Sequence, residues 1–495
     1  MGFNWQILLV SLIAGVQCYT ETSNFVFKHH SNEELANVLK EVHSQCPNVT
    51  RLYTLSEPSV LGEPLYVIEF AESPGRHQLL QPEFKYIANM HGNEVLGREL
   101  LLKLADSLCE EWRLNNPDVR KLIKNTRIHL MPTMNPDGYA LASKTYNNGV
   151  ADYLIGRTNN NSVDLNRNFP DLDRIMFGYE QHHINHNNHL LEQLDHLDEP
   201  IQPETRAVMR LIMQVPFVLS ANLHGGDLVA NYPYDASRSG AVKEYSKSPD
   251  DETFRHLALS YSLKHKEMSD PKRKGCGYDG YNFGKQGGIT NGAAWYSVKG
   301  GMQDFNYLSS NDFEITLELG CEKYPSESTL ESEWEKNKDA LMNFMWQSHI
   351  GIKGLVADAF TGKRLANAVI HVKNITHGRN VDIQHDVTSV NPMKPIQNWS
   401  IFTVHGGDYW RLLTPGEYLV TAQHDDYIPL SKRVVVTDKG HEQADRVDFY
   451  LQPIPASDIN LLPDNNLNYD TDYEDTRNVR KRWFYGINLF NRNNL

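Results

Sequence analysis

Phe84-Lys85-Tyr86-Ile87-Ala88-Asn89-Met90-His91-Gly92-Asn93-Glu94 is a short, mostly apolar run that stops abruptly in His-Gly-Asn-Glu. The residues that follow, 95–108, carry apolar side chains at 96, 100, 101, 104 and 108, which share one helical face. The stretch therefore reads as a strand turning directly into a helix, with an imidazole and a carboxylate at the turn. In open α/β sheets that carboxyl-end crevice is where ligands bind. A His and a Glu three residues apart can both point at one cation there. Two His and one Glu form a catalytic zinc set that leaves a position open for water. Alone, His-x-x-Glu is a weak pattern that arises by chance in many chains.

Other strands end in a similar way. Residues 63–70 and 126–132 read as strands, the second closing in the turn signal Asn135-Pro136-Asp137-Gly138. The apolar run 217–223 leads into His224-Gly225-Gly226. Residues 313–319 alternate strictly, which puts Glu314, Thr316 and Glu318 on the face opposite Phe313, Ile315 and Leu317. Helical stretches such as 204–213 and 251–264 lie between the strands. This alternation predicts an α/β layered domain over residues 25–347, with a largely parallel or mixed sheet.

Near residue 350 the texture changes to short strands at 351–357, 368–372, 416–422, 433–437 and 446–451, separated by turns rich in Pro, Gly, Asn and Asp. That spacing predicts a small all-β sandwich or barrel over 350–453, with packing or partner contact as its role. Residues 454–495 lose core-forming pattern and read as a flexible tail. Trp483, Phe484, Ile487 and Phe490 make its end a candidate membrane- or sorting-partner helix, against which Gly486 and the asparagines argue. Arg480-Lys481-Arg482 reads equally well as a proteolytic processing point. The His-rich segment 181–189 reads as a solvated polar insertion rather than a second metal site.

The chain has 495 residues, 40% apolar and 22% charged, an ordinary globular composition. Its formal charge of −14 argues against nucleic acid as a partner and favours basic ligands. The apolar run 7–16 before Val16-Gln17-Cys18 reads as a secretory signal peptide over 1–18, although its start has no Lys or Arg. Its removal leaves Cys46, Cys109, Cys276 and Cys321, which predicts two disulfides with three connectivities open. Sequons at Asn48, Asn160, Asn374 and Asn398 suit the same secretory, extracellular or granule compartment.

The chemistry rests on polar groups placed where strands end. His224 closes an apolar strand before two glycines and joins His91 and Glu94 as a third ligand. Glu318, near the end of another strand, is a candidate general base for a zinc-activated water. Each residue alone has a plain reading, His224 as a core histidine and Glu318 as a surface carboxylate. Arg157 and Arg167, set among amides in 156–171, suit a bidentate grip on a free α-carboxylate. The plain alternative there is an ordinary Arg–Asp network.

Six motifs in order resemble zinc metallocarboxypeptidases of the regulatory (N/E) branch. They are His91-Gly92-Asn93-Glu94, Asp164-Leu165-Asn166-Arg167-Asn168-Phe169-Pro170-Asp171, Ala221-Asn222-Leu223-His224-Gly225-Gly226, Asn231-Tyr232-Pro233-Tyr234-Asp235, Thr290-Asn291-Gly292-Ala293-Ala294-Trp295-Tyr296 and Gly300-Gly301-Met302-Gln303-Asp304-Phe305-Asn306-Tyr307. Residues 238–240, 248–251 and 304–311 look most like the prohormone-processing members of that branch.

The resemblance implies a mixed eight-stranded sheet flanked by helices, followed by a transthyretin-like β-sandwich. It implies one zinc ion per chain, held by His91, Glu94 and His224, and a secreted hydrolase that removes C-terminal Lys or Arg from peptides. Glu318 then activates water and passes its proton to the leaving amine, and Arg157 polarises the scissile carbonyl. Asn166 and Arg167 hold the substrate's terminal carboxylate, Tyr296 closes over the bound residue, and Asp235 with Gln303 selects the basic side chain. Two readings compete with prohormone processing: trimming of circulating peptides at the cell surface, and an inactive sorting or binding protein. The last predicts missing ligands, and all are present. The tail, the His-rich insertion and residues 392–404 depart from the family pattern.

Overall fold

The computed structural model describes residues 25–147, 153–181, 200–277, 280–379, 381–388 and 406–455. The signal peptide, the tail from 456 onward, Asn398, residues 392–404 and most of the His-rich segment lie outside them.

The first part is built on eight strands: β1 (Thr50–Thr54), β2 (Tyr66–Phe70), β3 (Glu83–Ala88), β4 (Arg127–Met131), β5 (Phe217–His224), β6 (Asp227–Tyr232), β7 (Ile289–Asn291) and β8 (Phe313–Gly320). They form one mixed sheet in the order β1-β2-β4-β3-β5-β8-β6-β7. The centre, β4-β3-β5-β8, is parallel. Helices cover both faces, as parallel strands buried on both sides require: α1 (Asn32–Gln45), α2 (Leu96–Arg113), α3 (Pro117–Asn125), α4 (Pro136–Asn147), α5 (Leu172–Gln181), α6 (Pro203–Gln214), α7 (Asp251–Ser262), α8 (Gly292–Trp295), α9 (Met302–Ser309) and α10 (Leu330–Trp346).

The helix predicted after His-Gly-Asn-Glu is α2. Leu100, Leu101, Leu104 and Leu108 of its apolar face are all at most 1% exposed, each worth about 1.5–3 kcal/mol of burial. α1 packs on α2, and a disulfide joins them, Cys46 to Cys109. The other disulfide, Cys276 to Cys321, ties a loop to the end of β8, three residues past Glu318.

The alternation in β8 implies one buried and one polar face, but both faces are buried. The cause is a polar network inside the sheet. Lys85 pairs with Asp312 and, at 3.2 Å, with Glu314, while Ser220 donates to Glu314 at 2.8 Å. Period-two polarity therefore reports paired groups here rather than solvent.

Among the described residues nine short strands follow: β9 (Ile352–Asp358), β10 (Val369–Asn374), β11 (Val381–Thr388), β12 (Asp408–Arg411), β13 (Gly416–Gln423), β14 (Tyr427–Ile428), β15 (Leu430–Val436), β16 (Asp445–Arg446) and β17 (Phe449–Pro453). One sheet runs β11-β10-β13-β15 and the other β12-β9-β17-β14, with β16 also on β9. Ile352, Val356, Phe449 and Leu451 of one sheet share a core with Ile370, Val372, Val420 and Ala422 of the other. The single strand expected over 446–451 is two pieces, and both run parallel to β9.

Strand β12 has no counterpart among the sequence-predicted strands, because its Asp-Tyr-Trp-Arg reads as polar. Its charges are buried against the first part. Arg411 donates to Asp250 at 2.6 Å, and Asp408 lies 3.2 Å from His77. Asn48 and Asn160 are exposed, but Asn374 is buried with its side-chain oxygen accepting the Thr376 N–H at 2.9 Å.

Candidate active site

Strands β3, β5 and β8 deliver their carboxyl ends side by side. β3 stops at Ala88, and the chain turns through Asn89 at φ 56°. The Asn89 amide then donates to the carbonyls of His91, Gly92 and Glu94 at 3.0, 3.0 and 3.2 Å, closing the turn with one side chain. Gly92 lies so close to the first turn of α4 that a Cβ would meet the backbone of Gly138 and Tyr139 at 2.3 Å. On the neighbouring strands, His224 stands opposite Glu318 in register.

His91 Nδ1, Glu94 Oε2 and His224 Nδ1 converge at 2.9–3.1 Å from one another, all buried. Among the described residues this is the group that could hold a metal ion. Two ring nitrogens facing each other at 3.1 Å share one proton at most, and a carboxylate oxygen beside them adds only lone pairs. A cation between the three satisfies all of them, and two imidazoles with one carboxylate suit zinc.

Asp164 organises the surroundings. Its Oδ1 lies 3.0 Å from His91 Nε2, which puts the proton there and leaves the Nδ1 lone pair toward the cluster. Its Oδ2 accepts from Arg157 Nε at 3.1 Å, and Asn166 N–H donates to Oδ1 at 2.9 Å. Arg157 Nη1 is thereby held 3.3 Å from Glu94 Oε1, and Lys323 Nζ reaches the same oxygen at 2.7 Å. Burial opposes ionisation of Glu94, but His91, His224 and their hydrogen bonds outweigh it and hold its carboxyl well below the usual range. Burial, with the Glu94 charge, pushes Glu318 well above its usual range.

A second group borders the same crevice. Asn166 Oδ1 accepts the Met302 N–H at 3.0 Å, so its NH₂ is the part that can donate. Arg167 is exposed and hydrogen-bonds the Asn166 carbonyl at 2.8 Å. Tyr296 is 40% exposed, and its hydroxyl feels the charges of Glu318, Arg167 and Asp235. Asp235 is buried and receives hydrogen bonds on Oδ1 from Asn231 at 3.1 Å and Gln303 at 3.0 Å. A Cβ at Gly292 would come within 1.8 Å of that oxygen, so only glycine leaves it room. Burial pushes Asp235 up to about 6, against the opposing pull of Asn231, Arg167 and Gln303. Asn231 Oδ1 and Gln303 Oε1 are buried acceptors without a hydrogen-bond partner among the described residues.

The zinc carboxypeptidase family model matches residues 35–340. The chain belongs to the zinc carboxypeptidase family. It is 47% identical over 433 residues to the carboxypeptidase N catalytic chain of Rattus norvegicus, covering 86% of each protein. It is 44% identical to carboxypeptidase E of Caenorhabditis elegans, covering 86% of this chain and 87% of that one. Carboxypeptidase Z of Gallus gallus is 46% identical over 88% of this chain, which spans 63% of that protein's length. A zinc carboxypeptidase uses one zinc, and His91, Glu94 and His224 offer it a site.

Three residues of the site carry no role in the sequence reading. Asp164 lies inside a quoted motif, but nothing in its spacing shows that it bridges His91 and Arg157. Lys323 arrives from a loop after β8 and has no sequence signal. Asn231 sits on β6, four residues before Asp235, and only the turn between them brings the two side chains together.

Proposed function

We propose that this chain removes C-terminal Lys or Arg from peptides in the secretory pathway, acting on the basic-extended intermediates that endoproteases leave. The observation that carries the proposal is the buried Asp235, ringed by the unpaired acceptors of Asn231 and Gln303. An apolar side chain entering such a pocket leaves buried acceptors unsatisfied, whereas an ammonium or guanidinium group brings several N–H donors to them. The two disulfides fit the secretory pathway, and no helix among the described residues is long and apolar enough to cross a membrane. The resemblance at 238–240, 248–251 and 304–311 favours prohormone intermediates as the substrates.

Zinc held by His91, Glu94 and His224 supplies Lewis acidity toward water and carbonyl, and a local positive charge that favours an ionised Glu318. The residues of this chain do the rest. Asn166 and Arg167 grip the terminal carboxylate, which sets the scissile bond beside Arg157 and Glu318. Glu318 takes a proton from the attacking water and later gives it to the leaving amine. Arg157, fixed by Asp164, stabilises the negative charge that grows on the carbonyl oxygen. Tyr296 closes over the bound residue and shields the site from water.

The test is release of the last residue from matched peptides ending in Arg, Lys, Phe and Leu, with and without a chelator. Arg and Lys should be released fastest, and chelation should stop the reaction. Faster release of Phe or Leu removes the specificity proposal, and full activity after metal removal removes the mechanism.

A further inference from the structure

A deeper acidic layer lies under Asp235, and the inference drawn from it rests on the basic-residue reading above. Asp304, in the first turn of α9, accepts the backbone N–H groups of Asp235 at 2.7 Å and Ala236 at 3.2 Å on Oδ2. Its neighbour Gln303 holds the Asp235 side chain. One helical turn thus fixes Asp235 by both backbone and carboxylate. On its other side α9 packs on α5, and the buried Asp304 and Asp173 carboxyls influence each other.

Asp173, Asp235 and Asp304 are 4%, 4% and 2% exposed. The other charged groups facing them are Asp171, with Arg238 near Asp173 and Arg167 near Asp235. Two neighbouring buried carboxyls do not readily both ionise, and they titrate as a pair. Burial first and the neighbouring carboxylates second hold both Asp173 and Asp304 well above the usual range.

We propose that Asp304 is a positioning residue for substrate selection: its carboxyl fixes the backbone of Asp235 from below. The charge that meets the substrate is then the charge of Asp235. The supporting layer adds rigidity to the pocket, and burial disfavours charge on both of its carboxyls.

The experiment measures kcat and KM on matched Arg- and Phe-terminated peptides for the zinc-loaded wild type, Asp304→Ala and Asp304→Asn. Alanine leaves the two buried N–H groups at 235 and 236 without an acceptor, so KM for the Arg peptide should rise about tenfold or more. The change in kcat should be smaller, and the Phe peptide should be little affected. Asparagine keeps an oxygen for the N–H groups and an NH₂ for Asp173, so it should rescue the Arg preference that alanine loses.

A loss of Arg preference in Asp304→Asn overturns the proposal, because Asp304 would then carry the selecting charge. An unchanged Arg KM in Asp304→Ala, or an equal loss on both peptides, also overturns it. If Asp304→Ala does not fold, the asparagine variant decides alone. A wild type with no preference for Arg over Phe defeats the pocket reading and this inference together, whereas a wild-type preference indifferent to Asp304 defeats this inference only.

Discussion

Two buried carboxylates near the crevice, Glu94 and Asp235, are shifted in opposite directions. Glu94 lies among His91, His224, Arg157 and Lys323, and its carboxyl is held well below the usual range. Asp235 has Arg167 in range and sits over Asp304 and Asp173, and burial pushes it up to about 6. Desolvation raises the pKa in both places, so the supply of cations decides the outcome. At one end the protein gathers positive charge to keep a ligand anionic. At the other it leaves an acidic floor short of positive charge, the feature on which the proposed basic specificity rests.

The sharpest way to break the first half of this contrast is Glu318→Gln. It removes the proton acceptor and keeps the shape, so kcat should fall by about 10²–10⁴ while folding and zinc content hold. Turnover near wild type would take Glu318 out of the mechanism. Arg157→Ala should lower kcat by about 10²–10³, the loss of one oxyanion donor, with a smaller effect on KM. An effect confined to KM would make Arg157 a binding group only.

The reading from sequence succeeded where the fold concentrates its chemistry. His91, Glu94 and His224 come together as the sequence reading expects, because each ends or follows an apolar run and parallel strands bring such ends together; Glu318 lies opposite His224 in register. What stayed hidden is whatever crosses between distant segments. Asp164 reaches His91 from 73 residues away and Lys323 reaches Glu94 from 229, and neither leaves a local pattern. β8 misled in another way, since Glu314 looks solvent-facing until Lys85 and Ser220 are placed beside it. β12 was missed because Asp408 and Arg411 find buried partners only in the first part of the chain.

The second half of the contrast is sharpened by pH. Asp235 is neutral below about 6 and charged above it. The ratio of kcat/KM for an Arg peptide to that for a Phe peptide should therefore fall as pH drops through about 6, by roughly tenfold per unit well below it. Taking the ratio cancels the titration of Glu318 and of the zinc site, which both substrates share. A ratio flat from pH 4 to 8 would assign selection to a group other than Asp235. Gly292→Ala should act more weakly through the same oxygen. The added methyl must displace the Asp235 carboxylate, so KM for Arg should rise by about tenfold while the Phe peptide is spared. Equal losses on the two peptides would mean a general loosening instead.

The most direct test replaces the one charge on which the proposed selection rests. The kcat/KM ratio for matched Arg- and Phe-terminated peptides should be large in the wild type and should collapse toward one in Asp235→Asn, with Phe hydrolysis retained. A wild-type ratio at or below one, or a ratio that survives the substitution, would contradict the account.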